Sequence, residues 1–216
     1  MTMVRCFFSR AVPFRGLWAF ALALVLGQSV AGANQQSVVL VGDSVLSALN
    51  PRDTNFAQTV IGAGNWNVKI DAKPCRCATT PGCKNGTPES VKNVLSARGD
   101  LATSAVVIMV GHNDMRNESF RSKVAAILEV SKKSPVVFWV TMREISASYR
   151  FANRVVAEEA AKHKNVRLVP WAKASQAQSS WCAHDGVHLR PTGARRLAET
   201  ILHELNVWRS GGDSKG

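Results

Sequence analysis

Five short apolar runs recur along the chain: Val38 to Val41, Val68 to Ala72, Ala105 to Val110, Val136 to Val140 and Val166 to Val169. Most are continuous and rich in β-branched residues, the pattern of strands covered on both faces. Stretches of helical period lie between them. Thr87-Pro88-Glu89 reads as a helix start, with a cap, a first-turn proline and an early carboxylate, and Val91, Val94 and Leu95 follow at helical spacing. Others run from about Ser119 to Lys132, Ser148 to Lys162 and Pro191 to Trp208, the last with Leu197, Ile201, Leu205 and Trp208 on one face. Alternation of strand and helix implies a parallel sheet, and right-handed crossovers make it an α/β, three-layer doubly wound, five-stranded domain.

The chain's 216 residues suffice for one such core. Residues 1–33 stand apart from it. Arg5, Arg10 and Arg15 precede an apolar run from Leu17 to Leu26, which ends at Ala31-Gly32-Ala33, the pattern of a cleavable secretory signal peptide. That run, roughly ten residues, falls short of the ~20 that span a bilayer. The expected organisation is a leader (1–33), one domain (34–209) and a disordered tail (210–216), with the mature chain secreted or periplasmic and not inserted in a membrane.

Lys and Arg number 27 against 15 Asp and Glu. The basic residues are scattered and the chain has a single tyrosine, so they read as a solubilising surface and not as a nucleic-acid site. Once Cys6 leaves with the leader, Cys75, Cys77, Cys83 and Cys182 remain, an even set suited to two disulfides in an oxidising compartment.

In open parallel sheets, ligands bind beyond the carboxyl ends of the strands. Gly42-Asp43-Ser44 follows the first run, where a serine on a tight strand-to-helix turn exposes its Oγ and sets its own N–H at a helix start. Helix capping is the plainer use of Asp43 or Ser44. Gly111-His112-Asn113-Asp114 follows the third run, and Asn113 is a neutral donor suited to an oxyanion. In "AHDGVHLRPTG", Asp185 lies three residues before His188, close enough to hold Nδ1 and leave Nε2 as a base. The competing use is a metal site on His184, His188 and Cys182; Gly186 and Pro191 argue instead for a loop, where four-apart histidines do not share a helix face. Arg143 and Glu144, beyond the fourth run, are candidates for contact with a polar substrate.

These three motifs, in this order, resemble the SGNH (GDSL-type) hydrolase superfamily: Gly42-Asp43-Ser44 is similar to its first block, Gly111-His112-Asn113-Asp114 to its third and Asp185-Gly186-Val187-His188 to its fifth. The resemblance implies a flavodoxin-like sheet and a Ser44, His188, Asp185 triad. It also implies an oxyanion hole from Ser44 N–H, the Asn113 side chain and one backbone N–H of a second block. "DAKPCR" is similar to the Asp-Ala-x-x-Gly-Arg stretch of SGNH domains linked to polysaccharide acyltransferases, with Cys75 at the glycine. Cysteine keeps the N–H but lacks glycine's freedom at positive φ.

The function so implied is that of an exported serine esterase acting on short acyl, O-acetyl, esters of a carbohydrate or cell-surface glycan, with no metal or organic cofactor. The alternatives are an O-acyltransferase using the same triad and a non-catalytic glycan-binding module. Among the cysteines, Cys75 with Cys77 would close too small a ring. If all four are oxidised, Cys182 pairs with Cys75 or Cys77 and Cys83 takes the other, tying the acid-base loop to the oxyanion loop.

Overall fold

The computed structural model describes residues 35–51, 53–83 and 87–211. The leader and residues 212–216 of the expected tail lie outside the described residues. Ser210 lies within them, as the cap of the last helix.

Strands β1 (Gln36–Gly42), β2 (Trp66–Ala72), β3 (Ser104–Met109), β4 (Val137–Val140) and β5 (Val166–Val169) form one sheet in the order β2-β1-β3-β4-β5. Every neighbouring pair is parallel. This is the doubly wound α/β sheet expected from the apolar runs. The three central strands are buried almost throughout, which is why they read as continuous apolar runs. β2 and β5 lie at the sheet's edges and expose part of their length, so their sequences are more polar.

Side chains alternate between two cores. Val38 and Leu40 of β1 face a core completed by Leu197, Ile201 and Leu205 of α6 (Pro191–Arg209). Val39 and Val41 face the opposite core, with residues of α2 (Val91–Ser96), α3 (Ser119–Ser131) and α4 (Ala147–Ala160). Two short helices, α1 (Ser44–Ser47) and α5 (Trp171–Ser175), follow β1 and β5 directly. Pro191 occupies the first turn of α6 after an extended Arg190, the arrangement that suits a proline lacking an N–H.

The expected helix start at Thr87 is corrected. Thr87–Pro88 is a cis peptide, and α2 begins at Val91 with Ser90 as its cap, its side chain accepting Asn93 N–H at 3.2 Å. The backbone before Ser90 is already committed. Pro88 C=O accepts from Gly82 N–H, and Glu89 C=O accepts from Nε of the buried Arg76.

The strand order reverses direction between β1 and β3, which opens a crevice at their carboxyl ends. Ser44 follows one strand and Gly111–Asp114 the other.

Candidate active site

Gly42 ends β1 where a Cβ would lie 2.3 Å from the Met109 carbonyl oxygen, so only glycine lets β1 and β3 approach there. Asp43 then caps α1, its Oδ1 accepting Val45 N–H at 3.0 Å. Ser44 is the first helical residue, half-buried, with Oγ 3.0 Å from Nε2 of His188. Both uses weighed for the tripeptide are therefore met, the cap by Asp43 and the presented hydroxyl by Ser44.

His188 and Asp185 belong to a closed turn. Cys182 and Leu189 pair in an antiparallel bridge at its base, and Ala183 N–H donates to His188 C=O at 2.7 Å. Gly186 takes φ +70° within the turn, while Val187, half-buried, packs on the apolar core. Asp185 Oδ2 lies 2.6 Å from His188 Nδ1, and Oδ1 accepts Val187 N–H and His188 N–H at 2.9 and 3.0 Å. The hydrogen bond from His188, helped by the Val187 N–H, lowers the Asp185 pKa to about 2. An ionised carboxylate can only accept, so Nδ1 carries a proton; in the neutral imidazole Nε2 is then the acceptor facing Ser44 Oγ–H. His184 is exposed on this same turn, and the two histidines do not share a helix face.

Asn113 is exposed and donates from Nδ2 to the Arg76 carbonyl at 3.0 Å; the same nitrogen carries a second N–H. Its loop is fixed by neighbours that sequence motifs did not single out as working parts. Asp43 Oδ2 meets His112 Nδ1 at 2.8 Å, and Asp114 Oδ2 accepts Ala78 N–H at 2.9 Å while Oδ1 meets Lys123 Nζ at 2.8 Å. Arg116 Nη1 donates to the carbonyls of Gly111, His112 and Asp114, and its guanidinium lies over the Tyr149 ring. Asp43 was legible as a cap. The use of its second oxygen depends on a loop 69 residues away.

Cys75 adopts φ +64°, the left-handed region that the sequence argument reserved for glycine, and is bonded to Cys83. Cys77 and Cys182 are buried free thiols. The expected disulfide between the acid-base turn and the Cys75 loop is thus corrected: Cys182 sits at the base of its own turn, and Cys77 Sγ points to the carbonyls of Cys75 and Asn113. Arg143 directs its guanidinium to three backbone carbonyls, and Glu144 Oε1 accepts from Asn153 Nδ2 at 3.1 Å.

The Asp185 and His188 side chains are 48% and 55% exposed, so the candidate site is open to solvent. A groove of about 810 Å³ lies along β5 between α4 and α6 and includes none of Ser44, Asp185 and His188.

No protein-family model matches the chain. It is 43% identical over 174 residues, 80% of its length, to a Staphylococcus aureus (strain COL) protein provisionally named an O-acetyltransferase. The chain spans a quarter or less of the length of the curated relatives it matches. In structure it resembles the C-terminal catalytic domain of Streptococcus pneumoniae peptidoglycan O-acetyltransferase A, with a TM-score of 0.60 and 19% identity over 81% of this chain and 95% of that one. It also resembles a member of the lipolytic G-D-S-L family from Veillonella parvula, with a TM-score of 0.59 and 17% identity over 79% and 98% of the two chains. The sheet order and these likenesses agree with the motif blocks: the chain has the SGNH (GDSL-type) hydrolase fold and resembles the SGNH domains of O-acetyltransferases.

Proposed function

We propose that the chain is an exported SGNH-type serine enzyme that cleaves short acyl, O-acetyl, esters of a carbohydrate or cell-surface glycan. The observation that carries this reading is the continuous contact from Ser44 Oγ through His188 to Asp185, at 3.0 and 2.6 Å. As Ser44 Oγ bonds to the ester carbonyl carbon, its proton passes to His188 Nε2 and the carbonyl oxygen takes the negative charge. Asp185 stabilises the imidazolium. Ser44 N–H, Asn113 and Cys75 N–H are the proposed donors to the oxyanion. Collapse breaks the bond to the leaving alkoxide, which takes the proton from His188 and leaves an acyl-serine. Water or an acceptor hydroxyl then gives its proton to the same imidazole and bonds to the acyl carbon; the bond to Ser44 Oγ breaks, and Oγ takes the proton back from His188. None of these steps draws on a metal or an organic cofactor.

The open site supports a polymer-borne ester, since an acetyl group on a chain can reach Ser44 without entering a deep pocket. The leader composition of residues 1–33 supports export, and no helix among the described residues is long and apolar enough to cross a membrane. A non-catalytic glycan-binding module has no use for a base in contact with a serine hydroxyl. Transfer to an acceptor hydroxyl is the second reading, favoured by the likeness to proteins named O-acetyltransferases.

Chromogenic esters from acetate to long chains, with and without added glycan acceptor, test both. The proposed function predicts turnover that is greatest for acetate, and the transfer reading predicts acetylated acceptor formed at the expense of free acetate. No turnover of any ester, with or without acceptor, would contradict both.

A further inference from the structure

Arg143 lies just beyond β4, half-buried, and its guanidinium donates in three directions: Nε to Ser175 C=O at 3.1 Å, Nη2 to Gln176 C=O at 3.2 Å and Nη1 to Gly186 C=O at 3.1 Å. The first two carbonyls belong to the end of α5 and the residue after it. The third belongs to the turn that carries Asp185 and His188. The three bonds leave from three different nitrogens of one rigid planar fork, whereas a lysine would have to make them all from a single nitrogen.

The backbone on either side of Arg143 is itself held. Buried Asn153 of α4 accepts from Met142 N–H at 2.8 Å and donates to Met142 C=O at 2.7 Å. The Gln176 side chain accepts from Glu144 N–H at 3.2 Å and donates to Glu144 C=O at 3.3 Å. Gly186 leaves room for the contact, because a Cβ there would lie 3.0 Å from Arg143 Nη1. The guanidinium therefore joins a braced strand exit to a turn whose two working side chains are about half exposed and have little packing of their own.

The geometry points to Arg143 as a positioning residue for the acid-base turn: by fixing the Gly186 carbonyl it sets where His188 stands relative to Ser44. This rests on the triad proposed above. Its contact with the turn is to the Gly186 backbone carbonyl and not to a working side chain, so Arg143 acts by holding the turn in place. Misplacing a working group by about 1 Å costs on the order of 10²-fold in rate.

The test compares wild type, Arg143→Ala and Arg143→Lys for acetyl ester hydrolysis, with and without low, non-denaturing guanidinium. Proton NMR of the His188 Nδ1–H is recorded on each. In Arg143→Ala, kcat should fall about 10- to 100-fold with KM within about twofold. Guanidinium should restore part of it, and methylammonium should not. Arg143→Lys, which keeps the charge, should lose nearly as much, and it carries the test if the alanine variant does not fold. The Nδ1–H resonance should sharpen in wild type and broaden or vanish in both variants. A change in KM alone would make Arg143 a substrate contact, and unchanged kcat with an unchanged resonance would make it dispensable; either overturns the inference. A wild type inert toward every ester would defeat the proposed function, while the resonance would still decide the role of Arg143.

Discussion

Asp43 Oδ2 lies 2.8 Å from His112 Nδ1 and 3.3 Å from His112 N, while Oδ1 of the same carboxylate accepts Val45 N–H at 3.0 Å. One fully buried side chain thus locks the turn that presents Ser44 to the loop that carries Asn113. Ser44 and Asn113, the proposed nucleophile and oxyanion donor, lie on different strand exits, and Asp43 ties the two exits together.

Asp43→Ala removes the acceptor for three donors at a fully buried position. It should destabilise the domain by about 2 kcal/mol or more, the cost of a lost helix cap together with stranded buried donors. Among molecules still folded, kcat toward an acetyl ester should fall about tenfold or more as the two loops lose register. Urea unfolding and initial rates on the same preparation measure both. A less stable protein with wild-type kcat would show that Asp43 serves folding alone.

Much of this was legible in the sequence. β1, β3 and β4 are buried on both faces, so their sequences are continuous apolar runs with little else to mistake them for. Ser44 was singled out by a motif at a strand end, and Asp185 and His188 by one in the loop before the last helix; the structure brings the three side chains together at 3.0 and 2.6 Å. The helix start at Thr87 misled because Gly82 and the buried Arg76 take up the backbone of Pro88 and Glu89, contacts that no local pattern shows. The cysteine pairing misled because parity counts thiols without regard to where the chain puts them; Cys182 is sequestered in its own turn. Arg143 was noticed because it follows a strand; the three carbonyls its guanidinium holds come from segments some 30 and 40 residues downstream, which no local pattern shows.

The cysteines give a direct chemical test. Non-reducing peptide mapping should recover Cys75 linked to Cys83. Burial pushes the thiols of Cys77 and Cys182 above their ordinary pKa, so an alkylating reagent should reach them only on unfolding. Reduction of this bond should cost about 2–3 kcal/mol of stability, as expected for a short closed loop. It should also lower kcat before the fold is lost, because Cys75 no longer has a crosslink holding it at φ +64°. A linked Cys182 would overturn this pairing.

Acid should act on a specific site away from the candidate centre. Hydrogen bonds from Arg98, with Lys69 also in contact, lower the Asp100 pKa to about 2. A carboxylate depressed in the folded state stabilises it fully above its unfolded pKa of about 4, and that contribution is lost as pH falls toward 2. Urea midpoints between about pH 5 and pH 2 should therefore fall less steeply in Asp100→Asn than in wild type. Parallel pH profiles would mean the Asp100 contacts add nothing. By the same sign Asp185, its pKa lowered to about 2, stays ionised above about pH 4, so loss of activity on mild acidification should not come from protonation of this carboxylate.

The most direct measurement is kcat for an activated acetyl ester in wild type and Ser44→Ala, purified without residues 1–33. Removing a triad nucleophile typically lowers kcat by about 10³-fold or more, and that loss is expected here with circular dichroism and urea midpoint close to wild type. Wild-type turnover in a folded Ser44→Ala variant would contradict the assignment and leave Ser44 as no more than the first residue of α1.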